Sequence, residues 1–335
     1  MAPAISVQGL GKTFQVRRRR PGFLGALRSL FGAPSDAIEA VHSISFDVPV
    51  GQLLAFIGPN GAGKSTTIKM LTGILHPTEG QASVLGKVPW AQRQELAYSI
   101  GSVFGQRSQL WYHLPPRDSF DLLAAIFELP RAGYRARMHY LVEVFELEEL
   151  LDIPVRKLSL GQRMRCEIAG GLLHGPRVLF LDEPTIGLDV VAKLKIRDLI
   201  KKLNQEEGLT VFLTSHDAGD IEELCRRVIV INHGTLVLDT SVSRLKRHFL
   251  KTKIVDAKLE EPLQTFIWEG VEVLKKTVHG IKLQVDTKRV PIDKVIASLM
   301  QVSRLIDLTI TDPPMEEIIQ AIYAQGKDTD EDEEE

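Results

Sequence analysis

The fold of this 335-residue chain follows from one stretch of eight residues, Gly58-Pro59-Asn60-Gly61-Ala62-Gly63-Lys64-Ser65. The stretch fits the phosphate-binding pattern of a glycine, four residues, a second glycine, a lysine and a serine or threonine. The apolar run at 53–57 predicts a buried strand before it, and residues 66–73 predict the start of a helix after it. The alternative, a glycine-rich turn with an incidental lysine, leaves this strand and helix unexplained.

The residue types of this loop suit a nucleoside triphosphate. Glycines let the backbone curl so that successive N–H groups point at phosphate oxygens, and the N-terminus of the following helix adds positive potential. The ammonium group of Lys64 suits the outer phosphates, and the hydroxyl of Ser65 suits Mg2+. We therefore expect the residues from Gly58 to Thr66 to bind the phosphates, with Mg2+ as the accompanying ion.

The composition excludes several classes of protein. The formal net charge of −2 argues against a general nucleic-acid binder. Two cysteines, Cys166 and Cys225, are too few and too far apart for a disulfide scaffold or a zinc site, and they suit a reducing compartment. No window reaches the roughly 20 apolar residues that span a bilayer, and residues 1–10 lack the apolar core of a signal peptide. We expect a cytosolic protein that is able to dock on a membrane protein.

Polar residues follow two further apolar runs. The predicted strand at 178–181 ends in Asp182-Glu183, and the predicted strand at 210–214 ends in Ser215-His216. Open α/β sheets bind ligands at the carboxyl ends of their parallel strands. We expect Asp182 to hold the metal ion and Glu183 to polarise the water that attacks the γ-phosphate. His216 is a candidate for sensing that phosphate, although a lone histidine is more often structural.

The other elements of this region are predicted from apolar periodicity. Strands are expected at 5–10, 38–48, 81–85 and 100–104, and Phe14 follows Gly11-Lys12-Thr13, which reads as a turn. A helical pattern covers about 115–151, and another helix is expected at about 164–173. The helical block between strands predicts a subdomain that lies against the core.

A basic segment follows the first strand. Arg17-Arg18-Arg19-Arg20 precedes residues 21–32, whose apolar side chains are spaced as one helical face. Such a segment suits an anionic membrane surface or a partner protein. The equally weighted alternative is a solvated arginine cluster with a helix that packs on its own domain.

The motifs occur in a characteristic order along the chain. After the phosphate loop come Gln106, Leu158-Ser159-Leu160-Gly161-Gln162, Leu181-Asp182-Glu183-Pro184, Gly187-Leu188-Asp189 and His216. This set resembles the ATP-binding subunit of ABC transporters over about residues 5–239. The Ser-x-Gly-Gln signature shortly before the Asp-Glu pair distinguishes that family from other phosphate-loop NTPases.

The resemblance implies further site residues, and with them the cofactors ATP and Mg2+. Phe14 would stack on adenine, and Gln106 would link the Mg2+ ion and the attacking water to the helical subdomain. The signature residues Ser159, Gly161 and Gln162 would contact the γ-phosphate of a second chain's nucleotide across a dimer interface. In the same family Asp189 belongs to the loop that couples the two sites, and His216 acts beside Glu183 and Lys64 in hydrolysis.

Three features depart from the family's usual pattern, and one is the stretch at 107–116, which is richer than the family's usual loop at Gln106. Leu160 stands where the family most often has glycine, at a position that varies within the family. The basic segment at 17–31 enlarges a loop that is usually short, and an insertion that displaced Phe14 would remove its stacking role.

The expected fold is α/β, a phosphate-loop ABC ATPase core with a helical subdomain, plus a small C-terminal α+β domain. We place the ATP-binding domain at 1–240, the helical subdomain at about 107–172 and the basic insertion at about 16–37. The accessory domain covers 241–325, with strands at 253–259, 271–278, 281–285 and 305–310 and helices at 244–253, 291–300 and 314–324. An acidic tail follows at 326–335.

The expected function is an ATPase subunit that drives an exporter. Leu308-Thr309-Ile310-Thr311-Asp312-Pro313-Pro314 resembles the C-terminal extension of ABC-2-type exporter ATPases, and the whole pattern resembles a branch grouped with viologen or multidrug exporters. Expected partners are a second copy or a sister ATPase and separately encoded permeases at the cytoplasmic face of the membrane, without specific nucleic acid. The alternatives are a soluble ABC ATPase of translation or DNA repair and, more weakly, a kinase.

Overall fold

The computed structural model describes residues 2–17, 35–105, 108–249, 252–261, 268–313, 318, 319 and 322. It divides the chain into two compact units, Met1–Thr240 and Ser241–Glu335. Three predictions fall outside the described residues: the amphipathic helix at 21–32, the placement of Gln106 and the acidic tail. The predicted last helix is described only at 318, 319 and 322, which are helical.

The first unit contains both strands and helices. Its described strands are Ile5–Arg17 (β1), Ser35–Val48 (β2), Leu53–Ile57 (β3), Glu79–Val84 (β4), Ile100–Phe104 (β5), Val178–Asp182 (β6), Thr210–Thr214 (β7), Arg227–Asn232 (β8) and Thr235–Ser241 (β9). Its described α-helices are Lys64–Leu71 (α1), Arg93–Ala97 (α2), Pro116–Ile126 (α3), Arg131–Phe145 (α4), Leu160–Leu172 (α5), Val190–Glu207 (α6) and Ala218–Leu224 (α7). The strand and helix that flank the phosphate loop are therefore confirmed.

A six-stranded sheet forms the centre of this unit, in the order β5-β6-β7-β3-β8-β9. Strands β5, β6, β7, β3 and β8 run parallel to one another. Parallel strands are covered on both faces, so they carry continuous apolar runs, and all five residues of β7 are buried. Their carboxyl ends meet at one edge, where the phosphate loop follows β3, Asp182 ends β6 and Ser215 follows β7. The predicted α/β fold is confirmed.

A second, antiparallel sheet has the order β2-β1-β4. The prediction of a turn at Gly11-Lys12-Thr13 was wrong, because β1 continues without a break to Arg17. Its register against β2 shifts between Val7 and Leu10 and twice more before Thr13. These irregularities accommodate the glycines within the strand, so tertiary pairing overrides the local turn preference.

Aromatic rings join the two sheets. The ring of Phe212 on β7 lies 5.2 Å from that of Phe56 on β3 and 6.2 Å from that of Phe46 on β2, between centroids. All three side chains belong to one buried cluster. Because Phe46 is on the antiparallel sheet and the others are on the central sheet, this contact holds the two layers together.

The helices begin and end where local chemistry allows. Helix α5 starts at Leu160, four residues before the predicted start, because Ser159 caps it. Helix α6 ends at Glu207 and is followed by Gly208, whose φ of 64° suits a left-handed cap. Within the described ranges, no helix combines the length and apolar character that a bilayer crossing requires.

The second unit is an α+β arrangement. Its described elements are Val242–Phe249 (α8), Thr252–Leu259 (β10), Val271–Lys276 (β11), Gly280–Asp286 (β12), Ile292–Val302 (α9) and Leu305–Thr311 (β13). The strands form an antiparallel sheet in the order β11-β12-β10-β13. Val255 and Leu283 on the sheet share a buried cluster with Val295 and Leu299 on α9. This unit has its own apolar core.

Replacing Phe212 by alanine tests the layer contact. We expect Phe212→Ala to lower the free energy of unfolding of the first unit by about 3–5 kcal/mol, because it removes a fully buried ring and leaves a cavity. The matched control is Val191→Ala, whose side chain is 75% exposed and whose loss costs within about 0.5 kcal/mol. Urea unfolding followed by circular dichroism measures both, and equal midpoints would contradict the contact.

Candidate active site

The phosphate loop requires glycine at defined points of its backbone. A Cβ atom at Gly58 would lie 2.1 Å from the carbonyl oxygen of Ile231 on β8. Gly63 has a φ of 103° and a Cβ there would lie 2.6 Å from the carbonyl oxygen of Ala40. The loop therefore curls tightly between β8 and β2, and a side chain at either position would open it.

Lys64 lies inside this curl and is 6% exposed. Its Nζ donates to the carbonyl oxygens of Gly58 at 2.6 Å and Pro59 at 3.0 Å. Burial lowers the pKa of Lys64, while the charges of Glu183 and Asp182 act in the opposite direction. The ammonium group is thus held by the loop, close enough to the two carboxylates for their charges to act on it.

Asp182 at the end of β6 accepts hydrogen bonds from two other elements. The Ser65 hydroxyl at the start of α1 donates to Oδ2 at 3.1 Å, and the Thr214 hydroxyl at the end of β7 donates to Oδ1 at 2.6 Å. A hydroxyl and a carboxylate are oxygen ligands of the kind that Mg2+ prefers. Their convergence fits the metal site predicted at Ser65 and Asp182.

Glu183 adopts an unusual backbone conformation for a residue with a side chain, with a φ of 55°. This region costs about 1–3 kcal/mol and persists where surrounding contacts impose it. Here the Glu183 N–H lies 3.0 Å from the carbonyl oxygen and 3.1 Å from the hydroxyl of Thr214. His216 Nδ1 lies 3.5 Å from Glu183 Oε1, and the His216 side chain is 58% exposed. The two predicted catalytic side chains therefore lie together.

Thr214 is a site residue that sequence reasoning missed. It was assigned only to the apolar strand, yet its hydroxyl donates to Asp182 and lies against the Glu183 N–H. The sequence could have indicated Thr214, because it is a hydroxyl residue at the carboxyl end of a strand, where this kind of sheet binds ligands.

The signature residues form a second group. Gln162 N–H donates to the Ser159 hydroxyl at 3.2 Å, and Ser159 N–H donates to Gln162 Oε1 at 2.9 Å. This reciprocal pair is a capping box, so it satisfies two free N–H groups at the start of α5. A Cβ atom at Gly161 would lie 2.9 Å from the Cβ of Ala192. Asp189 caps α6 by accepting from Ala192 N–H at 2.9 Å, which places the signature against the Asp189 loop.

Comparison with known proteins shows the family. Residues 41–186 match the family model described as ABC transporter. Over 221 residues the chain is 33% identical to the bacitracin transport ATP-binding protein BcrA of Bacillus licheniformis, covering 65% of this chain and 71% of BcrA. The chain belongs to the ABC transporter family. It is an ABC ATPase.

Two further similarities extend this result. The ABC ATPase is 29% identical over 286 residues to the linearmycin resistance ATP-binding protein LnrL of Bacillus subtilis, covering 83% of this chain and 91% of LnrL. A dimeric ATP-binding cassette in a post-hydrolysis state, bound to ADP and phosphate, matches with a TM-score of 0.59 and 26% identity, over 71% of this chain and 98% of that one. The chain also matches much longer members of the family, of which it spans 15% to 28%.

Two predicted site residues, Phe14 and Gln106, lie outside the groups described so far. Phe14 lies half-buried in β1, and Lys12 Nζ is 5.3 Å from the centre of its ring. Gln106 lies outside the described residues, but the preceding Gly105 N–H donates to the Asp182 carbonyl oxygen at 2.9 Å. Gly105, the last described residue before Gln106, therefore lies beside the backbone of Asp182.

A buried charge network behind the site was also missed from the sequence. Arg197 on α6 donates to Asp220 at 2.7 Å and to Asp217 at 2.8 Å. Asp220 is completely buried and also accepts from the hydroxyls of Thr185 and Ser215. The network joins Thr185, which comes shortly after Glu183, and Ser215, which precedes His216, to α6, the helix that Asp189 caps.

Removing Arg197 tests this network. We expect Arg197→Ala to lower the free energy of unfolding by about 3–5 kcal/mol, because it leaves the buried carboxylate of Asp220 without its counter-ion. Lys202 is the matched control, since its pair with Glu206 spans 4.0 Å on the exposed surface of the same helix. Lys202→Ala should cost no more than about 0.5 kcal/mol. Thermal denaturation of the purified variants decides, and equal losses would contradict the network.

Proposed function

We propose that this ABC ATPase drives an exporter of the ABC-2 type through ATP-dependent closure of a dimer. The similarity to BcrA and LnrL, named for bacitracin transport and linearmycin resistance, supports this proposal. The match to LnrL covers 83% of the chain and thus cannot be confined to Met1–Thr240. A relationship that includes the second unit favours a shared mode of action over a shared cassette alone.

The proposed mechanism of ATP hydrolysis rests on the convergence of Ser65, Asp182 and Glu183 at one edge of the sheet. We assign Mg2+ to Ser65, Asp182 and Gln106, together with the nucleotide's own phosphate oxygens. Magnesium sites of this kind combine one or two carboxylates with substrate phosphates. When bound, the ion neutralises negative charge on the β- and γ-phosphates.

We assign roles to the other residues at this edge of the sheet from their positions. Lys64 and the N–H groups of Gly58 to Thr66 hold the phosphates, since the loop presents both to the same space. Glu183 is the base that orients and polarises the attacking water, and His216, whose ring is beside Glu183, contacts the γ-phosphate. The 3.5 Å between Glu183 and His216 suits two groups that act on neighbouring atoms.

A dimer follows from how the residues are grouped. The phosphate loop and Asp182 form one group, while Ser159, Gly161, Gln162 and Asp189 form another through their mutual contacts. We propose that the second group completes the nucleotide site of a partner ATPase, a second copy or a sister subunit. The dimeric state of the matched cassette structure supports this arrangement. In it Phe14 stacks on adenine and Asp189 couples the two sites.

The membrane partners would bind the part of the first unit at about 107–172. Its aromatic side chains Trp111 and Tyr112 are 40% and 53% exposed, and Leu122 and Ile126 on α3 are also exposed. Large exposed apolar side chains are typical of a surface that is covered in a complex. We propose that this surface docks on separately encoded permeases at the cytoplasmic face of the membrane.

Glutamine at position 183 tests the catalytic assignment. Glu183→Gln should retain ATP affinity but lower the rate of ATP hydrolysis by at least about 100-fold, because the amide cannot accept the proton of the attacking water. It should also accumulate as an ATP-bound dimer in size-exclusion chromatography. Lys64→Ala provides the contrast, since it should weaken nucleotide binding itself. Unchanged turnover in Glu183→Gln would remove this residue from its role.

Purification from the native host tests the transport assignment. Tagged Glu183→Gln, extracted in mild detergent, should copurify with one or two polytopic membrane proteins, because the trapped dimer stays closed on its permeases. Lys64→Ala is the control for contacts that do not depend on ATP. Recovery of ribosomes or DNA-associated proteins in place of membrane proteins would favour a soluble ABC ATPase.

A further inference from the structure

Glu167 is a buried acid that the proposed mechanism does not use. It lies on α5, the helix that the signature residue Ser159 caps, and is 4% exposed. Buried carboxyl groups are rare and are retained where hydrogen bonds satisfy them. The partners of Glu167 therefore indicate its purpose.

Both carboxyl oxygens of Glu167 bond to the segment that follows Gln106. Gln109 N–H donates to Oε2 at 2.9 Å, and the Ser108 hydroxyl is hydrogen-bonded to Oε1. The Gln109 side chain in turn donates to the carbonyl oxygen of Ser102 on β5. One carboxyl group thus ties the signature helix to two successive residues that come directly after Gln106 and Arg107.

The same segment is held on its other side by the strand that carries Asp182. Gly105 N–H donates to the Asp182 carbonyl oxygen at 2.9 Å. A Cβ atom at Gly105 would lie 2.6 Å from the carbonyl oxygen of Glu183, so the close approach needs glycine. Gln106 is therefore flanked along the chain by one attachment to the Asp182 strand and another to Glu167.

The hydrogen bonds also indicate how Glu167 is protonated. The Ser108 hydroxyl has one proton but two acceptors, the Leu110 carbonyl oxygen at 3.0 Å and Glu167 Oε1. A protonated carboxyl group satisfies all of them, because it donates to Ser108, which donates to Leu110. Burial raises the pKa of Glu167, while the hydrogen bonds from Ser108 and Gln109 and the charge of Arg163 act in the opposite direction. A neutral amide of the same shape would make equivalent bonds.

We propose that Glu167 is a positioning residue, which holds the Gln106 segment in register with the signature helix so that movement of that helix moves Gln106. The inference rests on the role proposed above for Gln106 at the Mg2+ ion and the attacking water. It connects the signature group to the metal site within one chain, through the contacts of Ser108 and Gln109.

Steady-state ATP hydrolysis by the full-length chain, purified with its copurifying partners, tests the proposal. Glu167→Ala should lower kcat about 10-fold, which is the loss expected when an outer hydrogen-bond partner of a metal site is removed. It should also raise the Mg2+ concentration that gives half-maximal activity. Its affinity for ATP, measured with a fluorescent nucleotide, should stay within about twofold, since the phosphate loop is untouched. Glu167→Gln should restore both kcat and the Mg2+ requirement.

A double-mutant cycle separates positioning from general stability. Glu167 acts through Gln106 in the proposal, so the double variant Gln106→Ala with Glu167→Ala should have the kcat of Gln106→Ala alone. Multiplicative losses in the double variant would overturn the proposal. Wild-type turnover in Gln106→Ala would instead contradict the role of Gln106, and the inference would fail with it.

Ser108→Ala provides a second variant for the case that Glu167→Ala folds poorly. It removes one of the bonds from the opposite side and leaves the acid in place, so it should lower kcat in the same direction by a smaller factor. Hydrogen exchange at the Gln109 amide should accelerate in Glu167→Ala and remain protected in Glu167→Gln. Unchanged kcat in Ser108→Ala together with unchanged exchange in Glu167→Ala would overturn the proposal.

Discussion

A parallel sheet gathers the carboxyl ends of its strands along one edge, and the site of this ABC ATPase depends on that arrangement. Asp182 ends β6, Thr214 ends β7, and the phosphate loop follows β3. These positions are far apart in the chain, yet the register of β6 against β7 pairs Asp182 directly with Thr214. The hydrogen bonds that orient the carboxylate are therefore consequences of strand order.

The site combines local strain with buried charge, and both depend on the packed core behind it. Glu183 keeps a backbone conformation that is unfavourable for a residue with a side chain, because Thr214 accepts its N–H group. Asp220 remains buried because Arg197, Thr185 and Ser215 satisfy it. The free-energy costs of backbone strain and of burying a charge are tolerated only where surrounding contacts offset them. This explains why the loops after β6 and β7 are tied to α6 and not left to solvent.

The helix that begins at Leu160 connects several of these features. Its N-terminus packs against the Asp189 loop through Gly161, and its interior carries Glu167, which bonds to Ser108 and Gln109. A close-packed helix of this kind moves as a unit, because interiors have little free volume for independent shifts. Within the described residues, α5 therefore connects the proposed signature group to the segment that precedes and follows Gln106.

The sequence by itself determined the features that depend on near neighbours. The phosphate loop between β3 and α1 and the carboxylates at the end of β6 were readable, because glycine conformation and apolar runs act over a few residues. The family resemblance followed from the order of these local motifs. The exact start of α5 was missed by four residues, since apolar periodicity carries less boundary information than the cap itself.

Only the tertiary structure decided the features that depend on distant residues. Local preference at Gly11 favoured a turn, but pairing with both β2 and β4 extends β1 through it. Thr214, Arg197 and Glu167 looked like ordinary strand and helix residues, and their partners lie 20 to 59 residues away in the chain. No local pattern encodes such contacts, because the free energy that fixes them comes from packing the whole sheet and its helices.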